Sequence, residues 1–501
     1  HEICKVDKVR VQEEKLAIDR NLSKPSEHLW ISYSVGDEAG GDLRPSDLID
    51  EILTAHPGLQ VQRDILNRDD PEELVGGKLS TLRHLTDAMR QEARGEKVDP
   101  LWTSVDKWYR QADESEMGRI NEAFDFDNAP ADLSAGEADV LFKKDETGAC
   151  VLSPSRIETF AKCPFAHYVT YGLRPEELRV FEVASREIGD VYHACLMKIT
   201  SRLSSEDRRA SVTEEECREL VAQVLQKEAA DYKEGLFGFS NEEKYKSNRM
   251  ESTCFQALWA LVGHVRAGRI DGSRYEVAFG RGRAIPPITV DAGDRTIYIE
   301  GKIDRLDQLD NGRVKVIDYK SGNLDLKQKE ITSGYRLQLM LYMKAAQMGE
   351  KLPAGVFYFH IQDPRINMDK IANKGGADIA DVVTAELKKE FKLNGIMVDD
   401  EETIHEMDSD FTGASDVIPV RATKNGLTGL PAGSLVTDAE FEELQKAVDS
   451  KLDELCVDMV RGGIDIHPMN INDETPCKFC QYKSICRFDL GFDGCRYNMV
   501  R

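Results

Sequence analysis

Apolar and polar positions alternate in two registers along the chain, and the switches between them predict its elements. Through residues 1 to about 120, a strand-like run at 28–35 (HLWISYSV) stands among helical stretches, PSDLIDEILTAH and a longer one from Leu79 to Glu96. That mixture predicts an α/β piece. From 124 to 150 the chain turns acidic and rich in small residues (FDFDNAPADLSAGEAD), a composition change that predicts a linker. SPSRIETFAKC then opens a helix, with Ser155 and Glu158 at capping-box spacing and Cys163 on or just after it. Residues 183–203 have the three-to-four spacing of an amphipathic helix and carry His193. Charged helical sequence to about 268 gives way to strand patterns at 275–282, 296–309 and 314–322, and Asp310-Asn311-Gly312 predicts a hairpin between the last two. A helix at 335–348, an apolar strand at 354–361 and a long helix at 439–463 follow. For 151–501 this predicts an α/β sandwich on a mixed sheet. The polar, weakly periodic stretch 363–435 reads as an insertion of uncertain order.

Composition narrows the classes. A chain of 501 residues exceeds one compact core, so several domains are expected. It is 31% charged and has no apolar run of the ~18 residues an ordinary membrane helix needs, which predicts a soluble protein without a membrane partner. The first segment lacks an initiator Met and a secretory apolar core, so residue 1 reads as an internal cut. A net charge of −24 repels a phosphate backbone; any nucleic-acid contact then requires a local basic groove and metal ions. Eleven cysteines in a long acidic chain predict reduced thiols or a metal cluster rather than a disulfide scaffold. The nearest approach to a phosphate loop, GGKLS at 76–80, lacks the first glycine and has Leu79 where a hydroxyl belongs, so no ATPase site is expected in this chain.

The candidate chemistry sits in GKIDRLDQLDNGRVKVIDYKSGN. Asp304 and Asp318 fall on adjacent antiparallel strands joined by a hairpin, and two close carboxylates suit a hard divalent cation. Lys320 shares a face with Asp318 because side chains two apart on a strand do. By itself Asp-x-Lys is equally an exposed ion-paired face. Around it, however, Val314, Val316 and Ile317 make an apolar strand, Ser321-Gly322 ends it, and the next helix puts polar Gln338 and Tyr342 at i, i+4 in an apolar series. His193 reads either as a ligand or as a buried helix histidine with its own hydrogen bonds. In the tail, Cys477-x-x-Cys480-x5-Cys486 points to a metal lacking a fourth ligand. Cys163 is the natural candidate, although spacing alone cannot select it from more than 300 residues away.

Taken in order, G-x-x-x-H (Gly189 to His193), GKIDRLD, VIDYKSG and QLMLY resemble the RecB-type nuclease domain of the PD-(D/E)xK superfamily. The resemblance implies a restriction-endonuclease-like mixed sheet flanked by helices. It also implies Mg²⁺ or Mn²⁺ on His193, Asp304 and Asp318, a contribution from the Tyr319 carbonyl, catalysis by Lys320, and support of the site and DNA by Gln338 and Tyr342. One distant cysteine before the core and three after it are similar to the iron–sulfur staple of the AddB family, the nuclease-bearing subunits of bacterial AddAB helicase–nucleases. This implies a [4Fe–4S] cluster on Cys163, Cys477, Cys480 and Cys486; zinc suits four thiolates equally well, and a disulfide is disfavoured in cytoplasm.

The N-terminal third resembles the same family. EEKLAIDRNLSKPSEHLWISYS is similar to the final helicase-motif region of superfamily 1, and DEAGGDLRPSDLIDEI to the AddB segment after it. Lys24 stands where an active helicase has arginine, with Arg20 as the other candidate. The organisation implied is a partial helicase-like domain at 1–123, a linker at 124–150 and a RecB-like nuclease domain at 151–501 that includes the 363–435 insertion. The function implied is a metal-dependent deoxyribonuclease subunit in a bacterial, cytoplasmic helicase–nuclease that processes double-strand breaks for recombination. It would cut the 5′-ended single strand delivered at a duplex end by an AddA-type motor subunit. A stand-alone RecB-like exonuclease, which has no need of residues 1–123, and a non-catalytic cluster-bearing scaffold, favoured by the acidic surface, are the other readings.

Overall fold

The computed structural model describes residues 7–35, 43–61, 71–93, 95–124, 130–142, 149–176, 185–232, 237, 241–293, 295–322, 324–348, 351–363, 379–490 and 495–500. Cys4 and the acidic residues 125–129 lie outside them. The chain divides into two units, His1–Phe126 and Asp127–Arg501.

In the first unit the described elements are helices: α1 (Asp7–Leu22), α2 (Asp47–Ala55), α3 (Lys78–Ala93), α4 (Pro100–Ala112) and α5 (Glu114–Phe124). Its small core joins Leu82, Leu85, Trp102, Tyr109 and Met117. Asp99 caps α4 through Leu101 N–H, with Pro100 at the first helical position. The expected strand at 28–35 does not form: no strand occurs among the described residues of this unit, and Trp30 and Val35 are 71% and 70% exposed. An apolar run becomes a strand only where a neighbouring strand takes its backbone hydrogen bonds.

The second unit begins inside the expected linker, where α6 (Ala135–Phe142) buries Ala138 and Phe142 and Leu133 N–H donates to the Gly462 carbonyl. Strand β1 (Cys150–Leu152) leads to α7 (Pro154–Lys162), whose cap is Ser153 and not Ser155: the Ser153 hydroxyl accepts from Arg156 N–H at 3.3 Å. The short α8 (Pro164–His167) runs on into a single π-helical stretch, Tyr168–Leu173. Next come α9 (Ser185–Ser205), α10 (Glu214–Asp231) and α11 (Asn241–Ala267), then β2 (Ile270–Phe279), β3 (Ile288–Asp291), β4 (Thr296–Ile299), β5 (Gly301–Leu309) and β6 (Val314–Lys320). The expected strand 296–309 is thus two, broken at Glu300: β4 joins β1 and β3 in a side sheet, and β5 enters the main one.

Beyond β6 lie α12 (Gln328–Thr332), α13 (Gln338–Ala346), β7 (Pro353–His360), α14 (Ile379–Glu390), β8 (Asn394–Val398), α15 (Glu401–Met407), β9 (Val420–Thr423), β10 (Gly426–Gly429), β11 (Leu435–Val436) and α16 (Asp438–Arg461). The tail holds β12 (Met469–Ile471), α17 (Lys483–Cys486) and β13 (Asn498–Val500). The main sheet runs β11-β8-β7-β6-β5-β2, with β6 parallel to β7 and antiparallel to β5. Every residue of β7 is buried, as expected of a central strand covered on both faces. One face packs on α7, α13 and α16 through Ile157, Leu341 and Val448; the other packs on α9, α10 and α11 through Leu196, Val221 and Leu258. This is the expected mixed sheet flanked by helices.

Of the 363–435 stretch, the described residues 379–435 are a structural part of that sheet. β8 and β11 extend it, and Gly395 is where β8 crosses close to β7, since a side chain there would meet the Val356 carbonyl. Polar residues of this described part fill turns and caps: Asp400 caps α15 through Thr403 N–H at 3.0 Å. Among the described residues no helix is long and apolar enough to cross a membrane.

Candidate active site

The register of β5 with β6 passes through Arg305↔Ile317, which puts Asp304 opposite Asp318. Tyr319 N–H donates to Asp304 Oδ2 at 3.0 Å and holds that carboxylate against the neighbouring strand. His193, from α9, brings Nε2 to 3.1 Å from the same oxygen. Its helix can come this close because of Gly189, one turn earlier: a Cβ there would stand 2.7 Å from Ser321 Oγ at the end of β6. The Tyr319 ring turns to the opposite face, edge-on to His193 and Phe359, so its backbone is what it offers the site.

A residue not singled out in the sequence completes this cluster. Glu276 lies in β2 opposite Asp304, between the pairs Tyr275↔Arg305 and Val277↔Ile303. Ligand atoms of His193, Glu276 and Asp304 all lie within 4.8 Å of one another, the only such group of three among the described residues. Glu276 has φ +53°, rare for a residue with a side chain, and its Oε1 is buried without a hydrogen-bond partner while Lys302 pairs with Oε2. A buried carboxylate oxygen with no hydrogen bond, 3.9 Å from His193 Nε2, fits a divalent cation. No spacing signal could have found it, because Glu276 lies 28 positions before Asp304 in a strand of ordinary pattern.

Asp318, 1% exposed, sits behind Asp304 with Lys320 Nζ at 2.6 Å. Burial pushes its carboxyl up to about 7, against the pull of Lys320 and with the push of Asp304. Burial would lower Lys320, but Asp318 and Asp304 outweigh it and hold the ammonium charged. His193 is raised, first by its hydrogen bond to Asp304. From Lys320 a polar chain continues: Nζ donates to Gln338 Oε1 at 3.2 Å, and Gln338 Nε2 donates to Tyr342 hydroxyl at 2.7 Å.

Gln338 is the first residue of α13, a helix with no side-chain cap of its own. Glu158 of α7 supplies the missing acceptor: its Oε1 receives Leu337 and Gln338 N–H, both at 2.8 Å. Orphan amide donors at a helix start are thereby satisfied, with a negative charge at the positive end of the dipole. Glu158 is therefore not the capping-box partner of Ser155; it is a positioning residue for Gln338.

The four tail-associated cysteines also converge. Cys163 is the C-cap of α7; burial pushes its thiol up to about 12, and Cys477 and Cys480 close by push it the same way. Cys477 in turn feels Cys480 and Cys486, and Cys486 feels Cys480 and Cys495. The tail is tied to α8 and the π-helical stretch by Phe165 N–H to the Asp465 carbonyl at 3.1 Å and by Thr170 hydroxyl to Tyr482 hydroxyl at 3.1 Å. No three of these sulfurs lie within 4.8 Å of one another among the described residues. Four thiolates on one zinc at ~2.3 Å would stand about 3.8 Å apart. Four thiols brought to one place are a donor set that either an iron–sulfur cluster or zinc can use.

Comparison with known proteins agrees with this geometry. The family described as the PD-(D/E)XK nuclease superfamily matches residues 151–487, and the ATP-dependent helicase/deoxyribonuclease AddB fifth domain matches residues 67–120. The B subunit of the ATP-dependent helicase/deoxyribonuclease of Alkaliphilus oremlandii (strain OhILAs) is 31% identical over 508 residues, which cover 98% of this chain and 43% of that protein. Its namesake from Caldanaerobacter subterraneus subsp. tengcongensis is 32% identical over 517 residues, or 100% of this chain and 44% of its own length. The chain spans less than half the length of these relatives. From the match across its larger unit and the relatives along its whole length, the chain belongs to the PD-(D/E)XK nuclease superfamily and, within it, to the AddB family.

Proposed function

We propose that this chain is a divalent-metal-dependent deoxyribonuclease that hydrolyses the phosphodiester backbone of single-stranded DNA. The observation that carries the reading is the convergence of His193, Glu276 and Asp304 on one point with Asp318 and Lys320 beside it. His193, Glu276, Asp304 and Asp318 would hold Mg²⁺ or Mn²⁺, with the Tyr319 carbonyl as a backbone ligand. The ion, when bound, polarises the scissile phosphate and makes a water acidic.

The protein's own groups do the rest. Asp304 and Glu276 orient the attacking water through their carboxylate oxygens. The water oxygen bonds to phosphorus and releases its proton to solvent, the bond to the leaving sugar oxygen breaks, and that oxygen takes up a proton from solvent. Lys320 is held charged, so it cannot take the water's proton; its ammonium balances the negative charge growing on the phosphate oxygens. Gln338 and Tyr342 fix the direction of that ammonium. Cys163, Cys477, Cys480 and Cys486 would hold a [4Fe–4S] cluster as a structural staple.

In the wider assembly the chain would act, in the bacterial cytoplasm, as the nuclease part of a helicase–nuclease working on broken DNA ends for recombination. An AddA-type motor would deliver the 5′-ended strand to it. The names of the relatives, each one subunit of an ATP-dependent helicase/deoxyribonuclease, support that setting. The test is cleavage of end-labelled single-stranded DNA with Mg²⁺ by the unsubstituted chain and by Lys320→Ala, with iron and acid-labile sulfide assayed on both. Cleavage lost only in the variant is the expected result. Equal cleavage by both would move the site elsewhere, and an iron-replete protein inactive even with the motor subunit would leave a scaffold.

A further inference from the structure

On the side-sheet flank of the second unit lies an open groove of about 710 Å³ between α7, the π-helical stretch and the turn into β5. Its lining gathers Arg156, Arg174 and Arg281 with Tyr171 and Tyr482, against one carboxylate, Glu300. In a chain of net charge −24 this is a local reversal of sign. Glu300 offsets one of the three guanidiniums, Arg281, whose Nε pairs with it at 2.7 Å, and leaves Arg156 and Arg174 in excess. Arg283 is a further positive charge acting on that carboxylate.

Arg156 is the second, independent observation. It is 4% exposed, yet among the described residues its Nη2 has no hydrogen-bond partner and no carboxylate faces it; its Nε donates to the neutral ring of His167 at 3.0 Å. The guanidinium lies between the faces of Phe142 and Tyr171, 5.4 and 5.0 Å from their centroids. A buried cation is costly unless an anion balances it, and the described residues supply none here. Arg174 closes the rim from an exposed left-handed position, φ +51°, with its Nε donating to the Tyr171 carbonyl at 3.0 Å. Positive groups tracking a groove, interleaved with aromatic faces, are what a single nucleic-acid strand uses for its phosphates and bases.

We propose that this groove is an anchoring subsite for backbone phosphates of the single-stranded DNA whose scissile phosphate occupies the His193–Glu276–Asp304 cluster. The proposal rests on the nuclease reading above. Glu300 at the groove precedes Asp304 by four residues of extended chain, about 13 Å. One strand of DNA therefore reaches from one to the other.

The test uses the full chain, with Arg174→Ala and Arg174→Ala/Arg281→Ala, neither of which touches the metal-ligand cluster. Binding of a 12-nucleotide single strand is measured in Ca²⁺ across a salt series, and hydrolysis is measured on the same strand and on bis(p-nitrophenyl) phosphate, which fills only the reacting site. The expected result is a salt slope shallower by about 0.7 per phosphate contact removed. KM for the strand rises with kcat retained, hydrolysis of the small diester is unchanged, and Arg174→Lys recovers most of the slope. An unaltered slope and KM in the double variant would overturn the subsite while small-diester hydrolysis keeps the nuclease reading. If the unsubstituted chain hydrolyses neither substrate even with the motor subunit added, the nuclease reading fails and the salt slope alone still decides the groove.

Discussion

At the candidate site, Glu276 has a conformation and Asp318 a protonation that are costly in the metal-free protein, and both costs point at a cation. The positive φ of Glu276 is worth of order 1–3 kcal/mol of strain, which persists where it aims a group that something must bind. Glu276→Gln, nearly isosteric, is expected to weaken Mg²⁺ binding by about 10–100-fold while leaving the melting temperature close to its value, a comparison for calorimetry. Protonation gives the second test. Asp318 is raised above its unfolded value, so between roughly pH 4 and 7 the folded state binds the extra proton and the metal-free protein loses stability as pH rises. His193 is raised as well, so its stabilisation is complete below the unfolded histidine value and is lost as pH rises through the folded one. Both protons must leave before a cation binds. Melts in EDTA should therefore fall from pH 5.5 to 8 while the increment given by Mg²⁺ grows; an increment that shrinks toward alkaline pH would remove these two groups from the metal site.

Between elements, the site depends on three contacts that sequence distance hides. Glu158 reaches from α7 to the start of α13, Gly189 lets α9 lie against the end of β6, and the bend at Glu300 sends β4 and β5 into different sheets. Glu158→Ala removes the acceptor for two helix-start amides, a loss of about 0.5–2 kcal/mol by analogy with N-caps. It also frees Gln338, so kcat should fall more than the stability change explains, with KM little moved. Glu158→Gln, which keeps an acceptor oxygen, should recover most of both; failure of that rescue would make the charge, not the cap, the working part. The hairpin at Asp310-Asn311-Gly312 was legible because Gly312 has φ +83°, a local demand that local sequence advertises. The strand expected at 28–35 failed for the converse reason: alternation shows which side chains could be covered, not which backbone stands alongside.

For the whole nuclease unit, the proposed cluster on the cysteine set would hold together the ends of a 337-residue span, 151–487. Cys163→Ala should prevent cluster assembly and release the tail, read as loss of iron and as new proteolytic cleavage within 476–490 at native temperature. A tail that stays protected without iron would leave the hydrogen bonds to Asp465 and Thr170 as the true fastening. The sequence by itself determined the sandwich of sheet and helices, the hairpin, the shared face of Asp318 and Lys320 beside Asp304, and the i, i+4 pair Gln338 and Tyr342. Each is a pattern of period or short spacing, and local geometry converts such patterns into a shared face; His193, over 100 residues from Asp304, was joined to them only by the family resemblance. Tertiary structure alone decided that Glu276 joins the cluster, that Glu158 caps α13, that β8 and β11 complete the sheet, and that Arg156 is buried without an anion among the described residues. Those outcomes depend on which surfaces meet after folding, and proximity between residues far apart in the chain leaves no periodic trace in it.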